Sequence, residues 1–222
     1  MSRASSPVPA DLARVETWVF DLDNTLYHPS IRLFDQVNVR MRTYVMEALA
    51  LDEAAADALR RKYWAEHGTT LAGLMLHHGV EPEPFLDVVH DIDLTGLQPD
   101  TRLAAAIAAL PGRKIVYTNG SRRHAERVTA ALGLLPLFEA LYGVEDAGYE
   151  PKPRRAAFER VFTADGLAPQ VSAMVEDDQR NLEAPAAMGL ATIWHPGEQA
   201  DAPGPHVHHV AHDLAGFLSR LV

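Results

Sequence analysis

Asp21 and Asp23 stand two residues apart, directly after the run Trp18-Val19-Phe20. That run is β-branched and aromatic and reads as a buried strand, so the two acids fall where the chain leaves the core. Alternate side chains of an extended chain share a face, and Asp21 and Asp23 can therefore project to one side while Leu22 returns to the packing. Two carboxylates in one small site are costly unless a cation neutralises them or one holds a proton. Either arrangement suits the movement of a phosphoryl group. The same residues, Asp-Leu-Asp-Asn-Thr, also suit a plain turn after a strand, so the choice rests on what else the chain supplies.

Three further segments carry polar groups of matching chemistry. Thr118-Asn119-Gly120 offers a hydroxyl, an amide and exposed backbone N–H groups near a helix start, which can hold phosphate oxygens, although Asn-Gly is also a common turn dipeptide. Lys152 lies between Pro151 and Pro153, which restrict the backbone and can aim its ammonium; a lone loop lysine is otherwise a solvated charge. Glu176-Asp177-Asp178, with Asn181 beyond, follows Met174-Val175. Three acids at a helix start can complement its dipole, or complete an oxygen cage for magnesium with Asp21.

The elements that must position these groups alternate in type. Strands are expected near residues 18–20, 113–117, 141–143, 173–175, 191–194 and 208–210, with helices over 99–110, 124–132, 154–162, 179–188 and 213–221 between and after them. That alternation predicts an α/β fold, a doubly wound Rossmann-like parallel sheet covered on both faces, whose ligands bind beyond the carboxyl ends of the strands. All four polar segments fall there. Between the first strand and residue 99 the pattern is helical only. Apolar spacing predicts a helix over 31–50, a second capped by Asp52 and stopped by Gly68, a third opened by Thr69 and Thr70 and ended by Gly79, and a fourth over 84–90. The expected organisation is a core of residues 1–27 and 99–222 and an inserted α-helical cap of residues 28–98, with residues 1 to about 14 a loose tail.

Composition bounds the rest. The 222 residues, 47% hydrophobic and 23% charged, suffice for one core with a smaller insertion. A formal net charge of −10 argues against binding a nucleic-acid polymer, while leaving room for a small anion in a locally positive cleft. The absence of cysteine removes disulfides, thiolate metal sites and cysteine nucleophiles. No apolar run approaches the roughly 20 residues that span a bilayer, and the first residues lack the pattern of a signal peptide, so the expectation is a cytoplasmic protein without membrane attachment.

In combination, Asp21-Leu22-Asp23-Asn24-Thr25, Thr118-Asn119-Gly120, Lys152 in its Lys-Pro setting, and Glu176-Asp177 with Asn181 resemble the haloacid dehalogenase superfamily of phosphohydrolases over nearly the whole chain. The likeness is closest to the pyrimidine 5'-nucleotidase-like branch, through Leu26-Tyr27, the stretch from Gly68 to Leu74, Val89-His90-Asp91-Ile92-Asp93 and Asn181-Leu182-Glu183-Ala184. In that branch two aspartates usually precede a serine where Glu176, Asp177 and Asp178 stand, which leaves Asp177 as the direct metal ligand. The resemblance implies that Asp21 attacks phosphorus to form an aspartyl phosphate, that Asp23 protonates the leaving oxygen and then activates water, and that Thr118, Asn119, Gly120 and Lys152 hold the phosphoryl oxygens. It implies magnesium held by the Asp21 carboxylate, the Asp23 backbone carbonyl and Asp177.

The implied substrate is a small phosphorylated metabolite, a pyrimidine nucleoside monophosphate first, with phosphoglycolate or a sugar phosphate as alternatives. A phosphomutase, a dehalogenase and a noncatalytic binding module follow further behind. The protein would act as a monomer or homodimer. Gly68-Thr69-Thr70 and Gly73 leave room and hydroxyls for a sugar or base, His90 and Asp91 could add polar contacts, and Tyr27 could face the substrate. Tyr63 and Trp64 read as core of the helical block. The tract His206, His208, His209 and His212 suits an edge strand and helix cap better than a metal site, and Arg122 and Arg123 are either solvated or part of a positive rim.

Overall fold

The computed structural model describes residues 8–197 and 201–222. Six strands, β1 (Thr17–Phe20), β2 (Arg113–Tyr117), β3 (Ala140–Tyr142), β4 (Ser172–Glu176), β5 (Ala191–Trp194) and β6 (His209–Val210), form one sheet in the order β3-β2-β1-β4-β5-β6. Every pair is parallel. Phe20 is in register with Val116 on one side and Val175 on the other, so β1, β2 and β4 end side by side. The chain winds outward from β1 to β3 and then crosses to β4 on the other side of β1. The β1–β4 boundary is thus the switch point at which a crevice opens beyond the strand ends.

Alternation along the strands explains why both faces are covered. Trp18 and Phe20 join one hydrophobic cluster with Leu103 and Ile107 of α5 (Thr101–Ala109), Val128 of α6 (Arg122–Ala131) and Leu214 of α9 (Leu214–Leu218). Val19 joins another, with Phe158 and Val161 of α7 (Arg155–Asp165) and Ala184 of α8 (Glu183–Met188).

Between β1 and α5 lie four helices, α1 (Leu33–Leu49), α2 (Glu53–His67), α3 (Thr70–His78) and α4 (Pro82–Val89), packed on one another. Their ends follow local rules. Asp52 accepts the Ala55 N–H (2.8 Å), Thr69 accepts the Ala72 N–H (3.1 Å), and Gly68 and Gly79 close α2 and α3 at positive φ. Gly73 does not open space for a ligand: a Cβ there would lie 2.2 Å from the Tyr63 ring, so it lets α2 and α3 approach.

Some boundaries differ from the sequence expectation for identifiable reasons. The helix expected over 179–188 is a 3-10 turn (Gln179–Leu182) followed by α8, because Pro185 cannot donate to the Asn181 carbonyl. The helix expected from 124 starts at Arg122, since Ser121 caps it through the His124 N–H (3.2 Å). α4 starts at Pro82, a residue suited to a first helical position. The loose tail is shorter than expected: residues 1–7 lie outside the described residues, but Leu12 and Val15 are buried in the core. Among the described residues no helix is long and apolar enough to cross a membrane.

Candidate active site

At the crevice, the Asp21 N–H is tied to the Val175 carbonyl of β4 (2.9 Å). The loop turns at once: the N–H groups of Thr25 and Leu26 return to the Leu22 carbonyl, with Asn24 at φ 65°. Leu22 and Leu26 are buried, so the turn is nailed to the core while Asp21 looks out of it. The Asp21 carboxylate is held at both oxygens, Oδ1 by Lys152 Nζ (2.7 Å) and Oδ2 by the Thr25 hydroxyl (3.0 Å).

Lys152, 1% exposed, donates also to Glu176 Oε2 (2.7 Å) and the Tyr117 carbonyl (3.1 Å). An ammonium has three hydrogens, and all three have protein acceptors. The sequence expectation set Lys152 against phosphoryl oxygens; as placed, it holds Asp21 and neutralises two acids. Burial pushes its ammonium down, but Asp21 and Glu176 more than offset this and hold it above the ordinary lysine range. Asn119 is likewise engaged within the protein. Its side-chain amide donates to the Lys152 carbonyl (3.1 Å) and accepts the Lys152 N–H (2.8 Å), so both ends clamp the lysine loop. Thr118 is tied to β3 through its N–H and the Tyr142 carbonyl (3.0 Å), and its hydroxyl accepts the Gly120 N–H (2.9 Å).

Asp21, Glu176 and Asp177 each offer an oxygen within 4.8 Å of the others. Two buried carboxylates and the half-buried Asp177 face one lysine. Burial first, then the Glu176 charge, pushes Asp21 up to about 7 against the pull of Lys152, and burial with Glu176 and Asp21 lifts Asp177 well above the usual carboxylate range. An all-oxygen donor set with surplus negative charge fits a hard divalent cation. Asp178, in contrast, caps the Gln179–Leu182 turn and pairs with Arg180 (2.6 Å).

Asp23 stands apart from this cluster. Its Oδ1 accepts from the Tyr27 hydroxyl (2.7 Å) and from His124 Nε2 (2.9 Å). Burial raises its pKa, but the His124 charge and hydrogen bond, together with Tyr27, leave it below the ordinary carboxylate value. Tyr27 thus meets an acid of the site where the sequence suggested a substrate contact, and the four-residue spacing from Asp23 was the signal available for it. His124 had no such signal.

A cleft of about 1030 Å³ opens from Asp21 to the helical block, where Asn38, Arg42, Arg60 and Trp64 line it. Trp64 is the clearest departure on this side. It is 50% exposed and no part of the helical core, with the Arg180 guanidinium 3.8 Å over its ring. Gly68, at the end of α2, sits so close to the lysine loop that a Cβ would lie 3.1 Å from the Lys152 carbonyl. His90 lines the cleft and is pushed down to about 3 by burial and by His124, whereas Asp91 is exposed and pairs with Arg40. Arg122 pairs with Asp146 and Arg123 with Asp87 at the surface. In the histidine tract, His206 and His208 bond backbone groups of Gln179 and Thr192, and His209 pairs with Asp11.

Residues 15–189 match the family model described as haloacid dehalogenase-like hydrolase. Phosphate metabolism protein 8 of Saccharomyces cerevisiae is 25% identical over 196 residues, which cover 81% of this chain; the chain spans about three fifths (61%) of that protein. Among solved structures, YfnB of Bacillus subtilis, a HAD-hydrolase bound to magnesium, aligns over 94% of this chain and 99% of its own with a TM-score of 0.60 and 17% identity. An L-2-haloacid dehalogenase of Xanthobacter autotrophicus with chloropropionic acid covalently bound aligns over 92% and 97%, with a TM-score of 0.56 and 17% identity.

Proposed function

Because the chain belongs to the haloacid dehalogenase-like hydrolases, we propose that it is a magnesium-dependent phosphomonoesterase with Asp21 as nucleophile, acting on nucleoside 5'-monophosphates, pyrimidine ones first. The observation that carries the choice of phosphate esters over haloacids is Asp23, an acid oriented by Tyr27 and His124 beside the nucleophile loop. A leaving alkoxide needs a proton and a leaving halide does not. The yeast relative's name, which speaks of phosphate metabolism, points the same way.

In this reading an Asp21 oxygen forms a bond to phosphorus as the ester bond breaks, and Asp23 gives its proton to the departing oxygen. Asp23 then takes a proton from the water that attacks the aspartyl phosphate, releasing phosphate and restoring Asp21. Held low in the resting site, Asp23 is the base required for the second step. An entering phosphoryl dianion raises its pKa and favours the acid form needed for the first. The Thr118 hydroxyl, which lines the cleft and accepts the Gly120 N–H, would give its own hydrogen to a phosphoryl oxygen, and Lys152 steadies Asp21 as charge moves. Asp21 and Asp177, with the Asp23 backbone carbonyl that the family resemblance adds, would hold magnesium, which when bound offsets repulsion between the anionic nucleophile and the anionic ester.

The leaving group is chosen at the far end of the cleft. Its volume, about 1030 Å³, far exceeds a phosphoryl group. The half-exposed Trp64 ring, with Arg60 held at the cleft wall by Asp57 and Asn38, suits a planar group with polar edges. Initial rates of phosphate release with magnesium across UMP, CMP, AMP, GMP, phosphoglycolate and glucose 6-phosphate test this. UMP and CMP are expected to lead in kcat/KM; a hexose phosphate or phosphoglycolate leading by more than about tenfold would remove the nucleotide assignment and leave the phosphatase. Chloride release from 2-chloropropionate without phosphate release from any ester would remove the phosphatase as well. Trp64→Ala is expected to raise KM for the favoured nucleotide about tenfold, the worth of one base–aromatic stack. An unchanged KM would take Trp64 out of recognition.

A further inference from the structure

We infer that His124 is a positioning residue for Asp23, and that His90 of the helical block holds His124 in place. This rests on the phosphatase reading above. A carboxylate only accepts, so the His124 nitrogen facing Asp23, Nε2, carries the hydrogen, and its Nδ1 is left buried without a partner. A buried ring nitrogen without a bond is a cost the fold accepts in order to aim the other one. Tyr27 and His124 both donate to the same oxygen, Oδ1. Two donors on one oxygen fix the carboxyl plane and leave Oδ2 to pass a proton to the leaving oxygen and to take one from water.

The His124 ring cannot easily swing. His90, just beyond α4, stacks on it with ring centroids 4.3 Å apart and planes 15° from parallel, and His90 Nδ1 meets the Ser121 hydroxyl (3.1 Å) that also caps α6 at the His124 N–H. At its edge, a Cβ on residue 120 would lie 3.1 Å from His124 Cδ2, so Gly120 leaves no slack on that side. Farther along α6, Arg127 donates to the carbonyls of His90 (2.6 Å) and Ile92 (3.0 Å), pinning the segment that leaves the helical block. One short helix therefore anchors that segment and orients the acid; the seating of the helical block and the aim of Asp23 share α6.

If His124 aims the proton donor, its loss must matter most where the departing oxygen is most basic. The measurement is kcat/KM, which covers the steps up to the aspartyl phosphate, for an alkyl phosphate, phenyl phosphate and p-nitrophenyl phosphate with magnesium. His124→Ala is expected to lose about 30-fold on the alkyl ester, part of the 10²–10⁴-fold that a general acid contributes, and less than about threefold on the nitrophenyl ester. His124→Gln, whose amide can again donate to Oδ1, is expected to recover most of the loss. His90→Ala should show the same graded pattern at smaller size, and it carries the test if His124→Ala does not fold. A uniform loss across the three esters, or none, would overturn the assignment while the phosphatase stood. Wild-type protein inert toward all three esters would overturn the phosphatase reading and this role with it.

Discussion

Asp21→Asn protein is expected to fold like the parent and to turn over at least about 10³-fold more slowly, since three decades correspond to about 4 kcal/mol of lost barrier lowering. An amide is a poor nucleophile toward phosphorus, yet it fits the same space. Its oxygen can keep the Lys152 contact while its NH₂ turns to the Thr25 hydroxyl, which can accept as readily as donate. One of three clustered carboxylates is removed while Lys152 stays paired with Glu176, so the melting temperature without metal is expected to hold or rise. Initial rates on p-nitrophenyl phosphate and a thermal melt on the same preparation decide it. Residual activity above about 1% of the parent, an effect of less than 3 kcal/mol, in protein free of wild-type enzyme would take the nucleophile role away from Asp21.

Chelation is expected to abolish activity and magnesium to restore it, because the proposed nucleophile lies among acids that outnumber the one lysine paired with them. A cation bound by the native state alone also stabilises it. At about 100 times its dissociation constant this amounts to about 2.7 kcal/mol, so magnesium should raise the melting temperature even with no substrate present. Asp177→Ala should shift both the activating and the stabilising concentration upward by more than about tenfold, as expected from the loss of one of few protein ligands. Full activation by zinc with none by magnesium would contradict an oxygen cage.

The parts of the site that could be read from the sequence are those fixed by position along a strand. Asp21, Thr118 and Asp177 each follow a run of core residues, and a parallel sheet gathers such strand ends at one edge. Helix ends in the insertion were legible for a similar reason: Asp52 and Thr69 each act on backbone three residues away. What escaped depends on partners far along the chain. Trp64 continues a helical apolar pattern and gives no sign that it faces Arg180. Asn119 has the letter of a turn or a phosphate contact, and only the fold brings Lys152 to both ends of its amide. Lys152 itself was read through its flanking prolines, whereas its surroundings are set by β1, β2 and β4 together. His124 and Asp23 lie 101 residues apart in the chain and meet only because β1 and β2 end side by side.

The pairing of Trp64 with Arg180 gives the molecule an optical signal of its own. The chain has three tryptophans, and Trp18 and Trp194 are each 1% exposed, their indoles bonded to the carbonyls of Pro111 and Asp177. Trp64 alone meets solvent, so a collisional quencher such as iodide darkens it first and isolates its emission from the other two. Its ring lies under a guanidinium carried by the turn after β4, so relative motion between α2 and the strand ends alters the environment of that one fluorophore while the buried pair serves as an internal reference. Opening and closing of the cleft can thus be timed in the unlabelled, unmutated chain.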